Sequence, residues 1–285
     1  MHFDNVVFAG GGNRCFWQAG FWSTVAPSLT SEPSRVTAVS AGSAIACALF
    51  SDTFERGFDK HKLAVRSNSR NLYVGNLLKA KPVFPHGSMY RSAILGSIDG
   101  PALVRLRTGP DIKIVVARSP SWASTRVALL LGAVSVGVDA WNRHSLESAA
   151  ARSFGFKPIY VSARECKTPD ALADLILASS CIPPLTPLAS HGGVPFLDGG
   201  LVGSAPIEHM GHDDARTLIL LTRRFANLPV VPNCTYVQPS EPIPVGLWDY
   251  TNDLAIQSTY ELGQRDGRKF CLNTKSPLRE SYEHA

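Results

Sequence analysis

The chain has 285 residues, 45% of them hydrophobic and 18% charged, which is enough apolar material for one large core and excludes a disordered or fibrous chain. The formal charge of +5 is spread out, with no run of five like charges, so nucleic acid is not an expected partner; contact with an anionic membrane surface is compatible with it. The six cysteines, at 15, 47, 166, 181, 234 and 271, show no C-x-x-C spacing, which excludes zinc-ribbon and thioredoxin readings and suits a reducing compartment.

The N-terminus enters an apolar strand almost at once, Asn5–Ala9, with no basic leader ahead of it. A cytoplasmic protein is expected, peripheral to a membrane at most, since the longest apolar run, Val127 to Val138, falls short of the ~20 residues that span a bilayer. Three glycines follow the strand, Gly10-Gly11-Gly12, then Asn13 and Arg14, then a helical stretch Phe16–Val25. Glycines at a strand–helix junction let backbone N–H groups converge on an anion. The aromatic spacing of Phe16, Trp17, Phe21 and Trp22 fits core packing.

A second strand, Val36–Val39, runs into Ser40, then Ala41, Gly42 and a helix Ser43–Phe50. A serine at a tight strand-to-helix turn projects its hydroxyl above the sheet, the geometry usually spelled G-x-S-x-G. Here it reads Ala38-Val39-Ser40-Ala41-Gly42, with alanine at the first glycine position. Further helices are expected at Phe54–Arg66, from Asn76 onward, and at Ser88–Ile98, Ser121–Trp141, Ser145–Phe154, Pro169–Ser179 and Asp249–Lys269. Further strands are expected at Ile112–Ala117, Pro158–Ala163, Phe196–Leu197, Thr217–Thr222 and Thr235–Val237. The apolar stretch Ala128–Val134 reads as a core helix or a lipid-facing surface. Asp198 closes the Phe196 strand and precedes Gly199 and Gly200, whose lack of side chains would keep approach to the serine open. Pro229 to Pro244 reads as an irregular connection that borders a groove or ties down the last helix.

Alternation of strands and helices, with continuous apolar runs in the first strands, implies an α/β fold: a mainly parallel central sheet covered by helices on both faces. In such sheets catalytic groups gather at strand C-termini, where Ser40 and Asp198 both fall. One domain is expected over 3–270, with 64–158 a helical and cap region within it and 271–285 a tail.

The order of these signals, Gly-rich loop, then Ser40, then Asp198-Gly199-Gly200, together with Ile176-Leu177-Ala178-Ser179-Ser180-Cys181-Ile182-Pro183-Pro184, resembles the patatin-like phospholipase family. That resemblance implies a Ser–Asp dyad that hydrolyses lipid acyl esters, with phospholipid as the substrate and no cofactor. It assigns Ser40 as nucleophile and Asp198 as general base. Gly10, Gly11, Gly12, Asn13 and Arg14 become the oxyanion loop, and Ala38 and Gly42 frame the elbow. Two positions depart from the family pattern: Ala38 replaces a glycine, and Cys15 stands where glycine usually follows the basic residue. A catalytically weak lipid- or partner-binding module of the same fold is the alternative.

Rival chemistries fit less well. Among the eight histidines, none occupies the late strand-end position of a Ser…Asp…His order, although His191, His209 and His212 flank the Asp198 region. The i, i+3 pair His209 and His212 beside Asp213 and Asp214 suits a solvated helix end, and no metal is assigned. The glycine loop lacks the third small residue of a dinucleotide fingerprint, and Glu32, about 20 residues on, lies in a polar loop.

Overall fold

The structure, a computed structural model, describes residues 1–79, 81–141, 149–186, 188–191, 194–203, 205 and 214–275. Its strands are β1 (Asn5–Phe8), β2 (Arg35–Val39), β3 (Asp111–Arg118), β4 (Lys157–Ser162), β5 (Ala189–His191), β6 (Val194–Asp198), β7 (Thr217–Leu220) and β8 (Cys234–Val237). Its helices are α1 (Phe16–Val25), α2 (Ala41–Phe50), α3 (Phe54–Arg66), α4 (His86–Ser97), α5 (Gly100–Thr108), α6 (Thr125–Trp141), α7 (Ala149–Ser153), α8 (Pro169–Ser179) and α9 (Asp253–Lys275).

The strands form one mixed, mostly parallel sheet in the order β5-β6-β3-β2-β1-β7-β8, with β4 also paired to β3. β3, β2, β1, β7 and β8 run parallel; β4 and β6 are antiparallel to β3. Period-two alternation sends Val6 and Phe8 of β1 to one face and Val7 and Ala9 to the other. The first face packs against α1, α2, α8 and α9, and on the second β3 and β6 meet α6 and α7. Both faces are covered, so the strands are apolar on both sides, as a parallel sheet requires.

The register of β3 explains how distant residues meet. β4 pairs with Lys113–Arg118 along one edge of β3. On the opposite edge β2 pairs with residues 111–115 and β6 with 116–118. β2 and β6 therefore lie end to end on a single edge, pointing at each other. Val39 is opposite Val115, and Asp198 is opposite Val116, the next residue. β2 must turn away at Ser40 because β6 occupies the rest of the edge.

Region 64–158 is more than a helical cap, since it contains β3, the strand against which both ends meet. α6 turns both ways: Ala128 is buried and Gly132 lies against Leu197, while Val127, Leu130 and Val134 are exposed. The aromatics of α1 are core residues, and Trp17, fully buried, donates its indole N–H to Asp266 of α9 at 2.8 Å. Burying such a side chain contributes ~1.5–3 kcal/mol. Ser240, in the proline-rich connection, bonds the same Asp266, so that segment does tie down α9. Among the described residues no helix is long and apolar enough to cross a membrane.

Candidate active site

Ser40 sits at the N-terminus of α2 with φ 54° and ψ −134°, a left-handed conformation that costs a non-glycine residue ~1–3 kcal/mol. Three groups hold it there. Its amide donates to Ser179 Oγ at 2.8 Å, and Ser179 Oγ in turn donates to the Val115 carbonyl at 2.5 Å. Its carbonyl accepts the Ser43 amide. Gly42 lets the helix start this close to β1, because a Cβ there would lie 2.6 Å from the Ala9 carbonyl oxygen and 2.7 Å from that of Phe8. Ala38, by contrast, is an ordinary buried strand residue between Phe8 and Ile114 without positive φ, so alanine in place of glycine strains nothing.

The Ser40 hydroxyl donates to Asp198 Oδ2 at 2.6 Å, across 158 positions of sequence. The other carboxylate oxygen, Oδ1, accepts the Gly200 amide at 2.7 Å, and the Asp198 amide donates to the Cys181 carbonyl. Burial raises the Asp198 carboxyl from 3.8 to about 6; the bonds from Ser40 and Gly200 oppose the shift without cancelling it. Gly199 and Gly200 act differently from the expectation that they keep the path to Ser40 clear. A Cβ on Gly199 would strike the Val115 carbonyl at 2.2 Å, and one on Gly200 would crowd Asp198 Oδ1 at 2.9 Å. Their smallness lets the chain turn against the sheet and wrap the carboxylate.

The glycine loop lies beside this pair. A Cβ on Gly10 would be 3.3 Å from Ser40 Cβ. Thr222 Oγ1 donates to the Gly10 carbonyl at 2.5 Å, and Gly12, at φ 54°, abuts the Leu247 carbonyl. No hydrogen bond within the described residues occupies the amides of Gly10, Gly11 or Gly12. Two of the expected loop donors differ. The Asn13 amide donates to the Leu247 carbonyl, and the Arg14 amide to that of Gly11. Asn13 is a brace: its Nδ2 donates to the Asp249 carbonyl at 2.8 Å, and its Oδ1 accepts from His61 Nε2 at 3.2 Å. The first amide of α2, on Ala41, lacks an intrahelical partner as first-turn amides do, and adds a donor that the loop motif did not suggest. Cys15 is buried with its Sγ on the Ala9 carbonyl at 3.6 Å, and burial pushes its thiol far above the usual range, so it packs inertly behind the loop.

Among the described residues, two cavities open on Ser40. One, about 210 Å³, lies between the glycine loop and Asp198 and is edged by Arg14, Arg223, Leu247 and Trp248. Arg14 Nε is buried and has no hydrogen-bond partner among the described residues, and the Arg223 guanidinium lies over the Phe225 ring. The other is a narrow apolar slot running away from Ser40 between α2, α3 and α4. His61 and His86 line its near end, which the histidine order in the sequence did not suggest. Neither ring bonds Ser40. His61 Nε2 is engaged by Asn13, and burial lowers its pKa to about 4, so the ring is neutral; His86 Nε2 bonds the Trp248 carbonyl at 3.0 Å. His144, His209, His212, His284 and the side chain of His191 lie outside the described residues. Among the described residues no group of three or more acidic, cysteine or histidine side chains could hold a metal.

The profile of the patatin-like phospholipase family matches residues 6–210, spanning the glycine loop, the Ser40 elbow and the Asp198 turn. The chain belongs to the patatin-like phospholipase family. That family places it among the lipid acyl hydrolases. No curated protein matches the chain. Among solved structures it is similar to VipD from Legionella pneumophila, at 10% identity and a TM-score of 0.40, covering 95% of this chain and 67% of that one.

Sequence reasoning missed Ser179 as the residue that holds the elbow. The signal was present in the Ala178-Ser179-Ser180-Cys181 segment, which supplies both the bond to Ser40 and the carbonyl that receives the Asp198 amide.

Proposed function

We propose that the chain is a serine lipid acyl hydrolase in which Ser40 is the nucleophile and Asp198 its general base, acting on phospholipids at a membrane surface in a reducing compartment. The observation that carries this reading is the 2.6 Å bond from the Ser40 hydroxyl to a buried carboxylate raised to about 6. A hydroxyl becomes nucleophilic when a base takes its proton during attack, and a buried carboxylate is a stronger base than an exposed one. Ser40 Oγ attacks the ester carbonyl while its proton passes to Asp198 Oδ2. The tetrahedral oxyanion draws on the amides of Gly10–Gly12 and Ala41, where one donor is worth ~2.7–4 kcal/mol. Collapse breaks the bond to the alcohol, which leaves with the proton from Asp198. Water, deprotonated by Asp198, then attacks the Ser40 ester; the acyl–oxygen bond breaks, Ser40 Oγ takes the proton back from Asp198, and the fatty acid leaves.

The two cavities divide the substrate. The apolar slot suits the acyl chain. The wider cavity, with Arg14 and Arg223, suits a leaving group that carries a phosphate. The compartment is supported by the cysteines, none of which forms a disulfide. The test is hydrolysis of phospholipids, lysophospholipids, triglycerides and acyl thioesters by the wild type beside Ser40→Ala. Release of fatty acid from phosphate-bearing lipids, lost in Ser40→Ala, supports the reading. No turnover of any substrate would favour a binding module.

A further inference from the structure

The slot has a near end, a far end and a stop, all three identified by hydrogen bonds. α2 begins just after Ser40 and lines the slot with Ala41, Ala44, Ile45 and Ala48, one face of a helix at i, i+3, i+4 and i+7 spacing. α3 runs the opposite way. Its His61 bonds Asn13 beside the glycine loop, and its Phe54 and Gly57 lie at the far end. α4 likewise has Tyr90 near, with its hydroxyl 3.3 Å from Ser180 Oγ, and Ser97 far.

At the far end α3 and α4 close on each other. A Cβ on Gly57 would lie 2.8 Å from Ser97 Cβ and Oγ. Behind them stands a polar barrier: Ser51 Oγ meets Thr53 Oγ1 at 2.8 Å, Thr53 Oγ1 meets Ser97 Oγ at 3.0 Å, and Ser97 Oγ also donates to the Thr53 carbonyl at 3.2 Å. All three hydroxyls are buried and satisfied. A hydrocarbon pushed further would break bonds that it cannot replace, leaving buried polar groups unpaired.

We infer that this slot measures the acyl chain and selects medium lengths of about eight to ten carbons, with Ala44 and Ala48 setting the depth. The inference rests on the acyl-hydrolase reading. From Ala41 to Ala48 the helix rises ~10 Å at 1.5 Å per residue. An extended chain of ~1.5 Å carbon–carbon bonds advances about 1.3 Å per bond, so roughly eight carbons fit beyond the carbonyl before the barrier. The alanines leave the wall open along this length, and a larger side chain would block it at its own height. Ala48 stands ~6 Å further along the helix than Ala44, so a block at Ala44 stops the chain about four to five carbons sooner than one at Ala48.

Two measurements separate this inference from the catalytic reading. The first is binding of butyrate, octanoate, decanoate, dodecanoate and myristate to Ser40→Ala by calorimetry, which needs no turnover. Each methylene buried should tighten binding about fourfold, up to about ten carbons, and then stop. Affinity that keeps rising through myristate, or that does not rise from butyrate to decanoate, overturns the inference. The second is hydrolysis of p-nitrophenyl esters of the same lengths. The ratio of kcat/KM for decanoyl over butyryl ester should fall at least tenfold in Ala48→Phe, and Ala44→Phe should move the preferred length shorter still. Unchanged ratios in both folded variants overturn it. If the wild type hydrolyses none of the esters, the catalytic reading fails while the binding series still decides the slot.

Discussion

Replacing Asp198 by asparagine should make the protein more stable while disabling it, and the gain should depend on pH. The carboxyl titrates at about 6 in the folded protein against 3.8 when exposed. Between those values the folded state holds a proton that the unfolded state has released, so the group stabilises the fold at low pH. That contribution is lost as pH rises through 3.8 to 6. The gap of about 2 pH units, at ~1.4 kcal/mol each, is about 3 kcal/mol of destabilisation carried by the ionised wild type above pH 6. Asparagine keeps the shape, can accept the Gly200 amide, and never ionises. Paired urea titrations of the two proteins should therefore differ by about 3 kcal/mol near pH 8 and by less than ~1 kcal/mol near pH 4. All other titrating groups are common to both proteins and cancel. In thermal unfolding the pH 8 difference corresponds to roughly 6–12 °C. A difference of the same size at both pH values, or a variant less stable at pH 8, would refute the claim that burial strains this carboxylate.

Further expectations follow from the same geometry. The kcat/KM for an ester substrate should rise about tenfold per pH unit below about 6 and level off above, because the base must be ionised; a rise centred near 7 that disappears in His86→Phe would point to a histidine instead. Ser179→Ala removes the bond to the Ser40 amide and should lower kcat about tenfold with KM little changed, equivalent to ~1–1.5 kcal/mol; a matching loss in KM alone would show that the serine does not position the elbow. Gly42→Ala puts a Cβ against two carbonyl oxygens of the Phe8–Ala9 segment and should cost ~1–3 kcal/mol in urea unfolding, whereas a neutral effect would mean that the helix start is looser than the contacts require.

The sheet was legible because its inner strands are apolar on both faces, and the glycine loop and Ser40 stood at the ends of the two clearest ones. Phe16–Val25, Phe54–Arg66 and Pro169–Ser179 match the helices that their apolar spacing implied. α5 was missed although its start is written in the sequence: Asp99 caps the Ala102 amide at 2.9 Å, with Pro101 in the first turn. β5, three residues long, was too short to carry a pattern. The expected start of the last helix at Asp249 was four residues early, because Asp249 folds back on Thr251 and Asn252 caps the Ala255 amide. The final helix also continues to Lys275, past the expected domain limit at 270. For the site, residue types at strand ends were readable, but their meeting depends on β6 entering antiparallel on the edge that β2 vacates. The braces Ser179, Asn13 and His61 act through tertiary contacts, and no local pattern marks them.

The central claim is that Ser40 is activated by Asp198. Its most direct test is the labelling rate of an octyl fluorophosphonate, with the modified residue located by peptide mass mapping. A single adduct on Ser40 is expected, none in Ser40→Ala, and a rate at least about 100-fold slower in Asp198→Asn, the scale of a lost general base. An adduct on another residue, or an Asp198→Asn rate within threefold of wild type, would contradict it.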